Sequence, residues 1–258
     1  MPIANTISDL SDAVSRLGDQ YASPYHFRYA LPQVWEGFKV NIELMLKAEV
    51  LILFFALVIA VMRTAPGKAM RPLRWLAILY VDFFRGVPLI LIALALILGM
   101  GTIDPNPAVD NGFIVDGLAG LSFTTLGVIA LTLTYSAYVA EVYRSGIDAV
   151  HPSQRMAARS LGLSYAQSMR YVILPQAIRR VIPPLLNDFI GLQKDTAIIG
   201  VAGLVEAVSA ASQYGNTAGN FTGFFVAAVF FIFATIPLTR YLDHMVATRE
   251  AKERAQLT

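Results

Sequence analysis

The chain offers few residues able to do covalent or proton chemistry, and it scatters them. It has no Cys and only three His, at His26, His151 and His244. Thiolate nucleophiles, disulfides and Cys-ligated metals are therefore excluded, and a His-built metal site is not expected. No Gly-x4-Gly-Lys-Ser/Thr loop occurs. Gly67-Lys68 lacks the earlier Gly and runs into Ala69, so this chain is not expected to bind or hydrolyse ATP itself. Neither a His-Glu-x-x-His helix nor a Gly-x-Ser-x-Gly elbow is present, and no catalytic residue or metal ligand is assigned. What remains is a set of polar groups set in apolar sequence: Glu43, Asn187, Gln193, Lys194 and Asp195. An ionisable group at membrane depth marks a solute route by default, because facing lipid costs several kcal/mol. Lys194 and Asp195 are adjacent and point apart, so they either offer both charge signs to a zwitterion or pair with Glu43 or Glu49 to fix packing. Asn187 and Gln193 offer neutral hydrogen bonds, to a solute or between helices. Glu43 also fits an i,i+4 pair with Lys47.

These groups must be positioned by elements that cross a bilayer. Of 258 residues, 56% are hydrophobic and 15% charged, against about 25% charged in an ordinary soluble domain. The mean hydropathy is +0.57. Twenty Lys and Arg face 18 Asp and Glu, so no nucleic-acid partner is expected, and membrane lipid is. Since a spanning helix takes roughly 20 mostly apolar residues, five spans are predicted: 40–62, 75–100, 123–142, 183–204 and 221–241. Pro88 should bend the second, where Asp82 and Arg85 are spaced to pair. Glu141 and Arg144 are spaced to pair at the end of the third. Trp35 and Phe38 read as interface anchors ahead of the first. Before them Ile3, Ile7, Leu10, Val14 and Leu17 recur every three or four residues, the stripe of an amphipathic helix lying on the membrane or on its own protein.

Basic residues orient the chain. Arg63, Lys68, Arg71 and Arg74 lie between spans one and two. Arg144, Arg155, Arg159, Arg170, Arg179 and Arg180 lie between three and four, and Arg249, Lys252 and Arg254 follow span five. By contrast, residues 101–122 carry Asp104, Asp110 and Asp116 without Lys or Arg, and residues 207–220 carry no charge. The N-terminus is thus expected outside and the C-terminus in the cytoplasm. The organisation reads as an extracellular or interfacial segment 1–36, a membrane domain 37–242 and a cytoplasmic tail 243–258. The class is all-α integral membrane, with about five transmembrane helices, a cytoplasmic loop 144–182 and an N-terminal amphipathic helix.

That loop reads as two short helices. Ser153 can cap the first and Gly162 can end it with positive φ. Ser164 and Gln167 have capping-box spacing for the second, which should stop near Leu174 ahead of Pro175. Gly215, Gly219 and Gly223 repeat every four residues; a close-packing face and, for the first two, a plain external loop are the alternatives.

Residues 136–200 resemble the signature segment of permease subunits in the polar amino-acid branch of bacterial ABC importers. That signature is Glu-Ala-Ala, a Gly after three residues, and Ile-x-Leu-Pro after nine more. Here Ala157, Ala158, Gly162, Leu174 and Pro175 match, while Ile173 directly precedes Leu174. Met156 replaces the usual Glu, and Ser153 the usual Gly before Gln154. Ala137, Tyr138 and Glu141, then Arg85, Gly86 and Pro88, then Lys194, Asp195 and Thr196 add further matches, and the likeness covers about residues 37–241. It implies a type I permease that forms a translocation pathway with a second permease subunit, identical or homologous. It further implies two cytoplasmic ATP-binding subunits that hold ATP and Mg, so that this chain needs no cofactor. An external or periplasmic solute-binding protein would deliver an amino acid across the bacterial inner membrane. Gln154, Arg155, Met156, Ala157, Ala158, Arg159 and Gly162 would form the coupling helix that seats in the ATPase; Arg155 or Arg159 would answer partner carboxylates in place of the missing Glu. Without that likeness, a self-sufficient secondary carrier or channel subunit for a polar solute fits the same buried charges.

Overall fold

A helix continues until something removes a donor or frees the backbone, and here the breaks are set by proline and glycine. In the computed structural model, which describes residues 2–101, 116–117 and 121–255, the first helix α1 (Pro2–Tyr21) gives way after a two-residue break to α2 (Pro24–Thr64). At 41 residues, α2 is about 61 Å long, twice the roughly 30 Å of a hydrocarbon core. The expected boundary between residues 36 and 37 falls in its middle. Pro24 occupies the first turn, where a missing N–H costs nothing. Phe38 is buried and stacks on Phe230 rather than anchoring at an interface.

The expected second span is two helices, α3 (Arg71–Gly86) and α4 (Leu89–Gly101), that meet at 96°. Pro88 pushes Val87 into the extended region (φ −98°, ψ 128°) and donates nothing back. A bend becomes a break. A two-residue antiparallel pair, with Asp116 opposite Ser122, precedes α5 (Phe123–Asp148). The acidic stretch with Asp104 and Asp110 lies outside the described residues. α5 is the hub, packed against α2, α3, α4 and α8.

Next come α6 (Pro152–Ser160), α7 (Tyr165–Ser168), a π-helical stretch Met169–Ile173 and α8 (Leu174–Asp195). The predicted stop before Pro175 does not occur. The widened turn puts Pro175 in the first turn of a new helix, and Gln176 Nε2 donates to the Val172 carbonyl at 2.9 Å. The fourth span therefore begins at Leu174, well before Pro183, and ends in a 3-10 turn, Thr196–Ala202. Gly203 at φ 108° then turns the chain by 49° into α9 (Ala207–Ala218), where a plain loop was one alternative. Finally α10 (Thr222–Ala255) runs unbroken past the expected tail boundary at 242/243. Among the described residues, three helices are long and apolar enough to cross a membrane, or five spans if each bent pair is one.

One polar knot fastens these pieces. Glu206 is fully buried and caps α9, its carboxylate accepting from the Val208 and Ser209 amides at 2.9 and 2.7 Å. Asn41 on α2 donates to the same carboxylate and to Thr196 Oγ1, both at 3.1 Å, while its own oxygen accepts from the Ala207 amide at 3.0 Å. The helix N-terminus supplies the partial positive charge that a buried carboxylate needs. Gly37 lets the α2 backbone close on this corner, since a Cβ there would lie 2.6 Å from the Glu206 carbonyl carbon.

Gly37→Ala and Glu206→Ala should each destabilise the chain, by about 1–3 kcal/mol from overpacking and about 3 kcal/mol from orphaned donors. Gly86→Ala, with nothing within 4 Å of the new Cβ, should be near neutral. Thermal unfolding in detergent checks this. A Glu206→Ala midpoint within a degree of the parent would show that the knot is ornamental.

Candidate functional site

Two features carry polar chemistry: a knob at one end of the bundle and a cavity within it. The knob is α6 with its flanks. Its cap is His151 rather than the predicted Ser153: the imidazole accepts from the Ser153 amide at 3.2 Å, and Pro152 fills the first turn. The helix ends as the sequence requires. Gly162 takes φ +78°, its amide meets the Arg159 carbonyl at 3.0 Å, and the Leu163 amide meets Ala158 at 3.1 Å. Ser164 and Gln167 complete the predicted capping box.

The knob is bolted to the ends of two long helices. Arg155 donates to the Ile147 carbonyl at 2.7 Å and Arg180 to Ala149 at 2.6 Å. Beneath it Val150, Ile173 and Ala177 form a small core of their own. Gly146 allows α5 and α8 to close there, since a Cβ would lie 2.1 Å from Val181 Cγ1. Of the seven expected coupling residues, Ala158 is buried and Arg155 is tied to its own chain. Gln154, Met156, Ala157, Arg159 and Gly162 are exposed. The adjoining Leu161 is 81% exposed and Met156 63%, so the tip is apolar with a cationic edge. Close by, Glu141 takes both Arg144, as the spacing predicted, and Arg63 of α2, and Arg144 also reaches Asp148. The basic α2–α3 connection and the knob therefore share one end of the bundle.

The cavity measures about 470 Å³ and sits where the α3–α4 break opens against α5 and α8. The break supplies Arg85 to Leu89; α5 supplies Thr134, Tyr135 and Tyr138; α8 supplies Asn187, Asp188, Gly191 and Asp195. Tyr135 donates to Asp195 Oδ2 at 2.8 Å, and the Arg85 guanidinium lies 5.6 Å from the Tyr138 ring centre instead of pairing with Asp82. Asp188 Oδ2 is buried without a hydrogen-bond partner. Two carboxylates and one guanidinium thus meet around a space large enough for a small polar molecule.

Of the five pathway residues expected from sequence, the structure brings Asn187 and Asp195 to this cavity. Gln193 is buried and accepts from Thr235 of α10 at 2.8 Å. Lys194 is exposed beside it and pairs with neither Glu43 nor Glu49. Glu43 bonds Lys47 on an exposed face of α2. Arg85, Tyr135, Tyr138 and Asp188 were not singled out as pathway residues. The findable signal was the seven-residue interval between Asp188 and Asp195, two helical turns that return to the same face.

The family described as "Binding-protein-dependent transport system inner membrane component" matches residues 62–249. The chain is 40% identical to the "Probable glutamine ABC transporter permease protein GlnM" of Bacillus subtilis, over 72% of this chain and 79% of that one. It is 34% identical to the "Glutamate transport system permease protein GluC" of Corynebacterium glutamicum, over 80% and 90%. A solved amino acid ABC transporter with histidines superposes with a TM-score of 0.72 at 31% identity, covering 82% of this chain and 92% of its own.

Since αL costs a residue with a Cβ about 1–2 kcal/mol, Gly162→Ala should raise the open population of the knob about 5–30-fold. Proteolysis between residues 160 and 165 should accelerate to match, while the thermal midpoint of the bundle stays put. Unchanged cleavage would mean that the left-handed turn is dispensable.

Proposed function

The chain belongs to the family of binding-protein-dependent transport system inner membrane components, and from that premise we propose the following arrangement for it. It is the permease subunit of an importer that carries a polar amino acid to the cytoplasm. The observation that carries the substrate class is the cavity: Asp188 and Asp195 suit an ammonium group, Arg85 suits a carboxylate, and an amino acid presents both. Its neighbours by similarity are named for glutamine and glutamate transport, which agrees with a small polar solute. The reading as a self-sufficient carrier is set aside by the family membership.

The power source is a separate ATP-binding subunit that seats on the knob. Exposed Met156, Ala157 and Leu161 supply an apolar tip, small enough at Ala157 for close approach, and Arg159 answers a carboxylate on that partner. The knob faces the cytoplasm, because Arg63, Lys68, Arg71, Arg74 and the arginines of residues 144–180 gather at that end. The N-terminus then lies outside, on the side where a solute-binding protein would deliver. A second permease subunit, of this chain or a homologous one, completes the route.

Two sets of variants should separate the two features when the transporter is reconstituted in vesicles with its ATP-binding and solute-binding subunits. Ala157→Arg should abolish copurification of the ATP-binding subunit and with it all uptake. Asp188→Asn and Asp195→Asn should keep that subunit yet lower uptake tenfold or more. Uptake by the permease alone, or an intact Asp188→Asn and Asp195→Asn double variant, would overturn the assignment.

A further inference from the structure

The segment preceding the family match carries a second, independent pattern. Along α1, Ile3, Ile7, Leu10, Val14, Leu17 and Tyr21 follow one another by four, three, four, three and four residues. That is a strict heptad spacing over six positions, the seam of a left-handed coiled coil rather than the broader stripe of a helix lying on a core. Where the side chains of the seam are described they are open: Leu10 is 65% exposed, Val14 61%, Leu17 59% and Tyr21 48%. The last turn of α1 is secured to its own chain. Gln20 accepts from the Phe221 amide at 2.9 Å, and Tyr21 stacks on Phe221 at 5.7 Å.

We propose that this seam pairs with the same seam of a second copy of this chain, the two α1 helices lying parallel and in register. Two observations choose that occupant over a lipid surface. First, the positions flanking the seam are Ala4, Thr6, Ser11, Ala13, Gly18 and Gln20, all uncharged and mostly small, so two such faces meet without like-charge repulsion and at close range. Secondly, the opposite face holds Asp9, Asp12, Asp19 and Arg16; a helix that lies on a bilayer carries Lys and Arg there, and this net acidic face is repelled by anionic lipid. In proteins most helical stability comes from packing an amphipathic face, and a self-complementary seam is what a two-fold pair supplies. Three heptads make a weak zipper alone. Two copies held in one assembly meet at an effective concentration in the millimolar range, which is enough to close it.

The absence of Cys makes the test clean. Leu10→Cys, Val14→Cys and Leu17→Cys, placed one at a time in the full chain and expressed with its transport partners in intact membranes, should oxidise to a disulfide-linked dimer of about twice 28.1 kDa. Both halves of the adduct should be this polypeptide, identified with two different tags. Asp12→Cys, on the opposite face, should stay at background. Adding Leu10→Asp and Leu17→Asp should suppress the Val14→Cys adduct at least tenfold, with the thermal midpoint of the bundle unchanged. Equal cross-linking of Asp12→Cys and the seam variants would overturn the proposal. So would an adduct with a different polypeptide, or quenching of a Leu17→Trp variant by brominated lipid. None of these readouts depends on uptake, so a failed seam and a failed transport assignment remain distinguishable.

Discussion

A carboxylate with no exposure to solvent survives only where donors surround it, and Glu206 has them from three directions. Two are amides of the helix it starts and the third is Asn41, whose side chain also reaches Thr196 and returns a bond to Ala207. Because Glu206, Asn41, Thr196 and Ala207 are all buried, none of them can leave without stranding the others. The knot thereby fixes where α9 starts, how far up α2 it sits, and how the 3-10 turn after α8 comes to rest. The broken fourth span has a defined angle because its break is tied down.

The breaks themselves are where function collects. A bilayer tolerates irregular backbone only where protein or water covers it, so the 96° corner at Gly86–Pro88 and the turn after Asp195 must both be sheltered. The first corner opens into the cavity; the second is closed by Glu206. Arg85 sits at the lip of the first because the helix ends there, and Asp188 and Asp195 face it because α8 presents the same side every seven residues. The same α8 begins at the foot of the knob, so the two candidate sites are built on one element.

Much of this was legible in the residues, and the rest was hidden for identifiable reasons. The Gly162 turn, the Ser164–Gln167 capping box and the Glu141–Arg144 pair follow from local rules and were found where expected, whereas the five apolar runs are helical with other bounds, the second and fourth of them broken. Gly162 in particular is local chemistry, since a positive φ selects glycine regardless of what surrounds it. Glu206 was not read, because nothing in its neighbours announces that Asn41, 165 positions away, will donate to it. Pro175 was read as a stop; a π turn is a tertiary accommodation that shifts the hydrogen-bond ladder and lets the helix resume. His151 displaced Ser153 as a cap because the chain enters α6 through Pro152, which fixes the first turn two residues earlier. Pairing of Asp82 with Arg85 was plausible on one face, but Tyr138 across the break is the nearer surface for a guanidinium.

The π turn has a mechanical meaning as well. From Tyr165 through Asp195 the backbone is helical without interruption, a stretch of 31 residues or about 46 Å. Pro183 and Pro184 stand inside it, each removing one backbone donor, and Gly191 follows, while the π turn widens the coil instead of cutting it. The knob's second helix and the two aspartates therefore share one helical run, and any bend between them falls first at the two prolines.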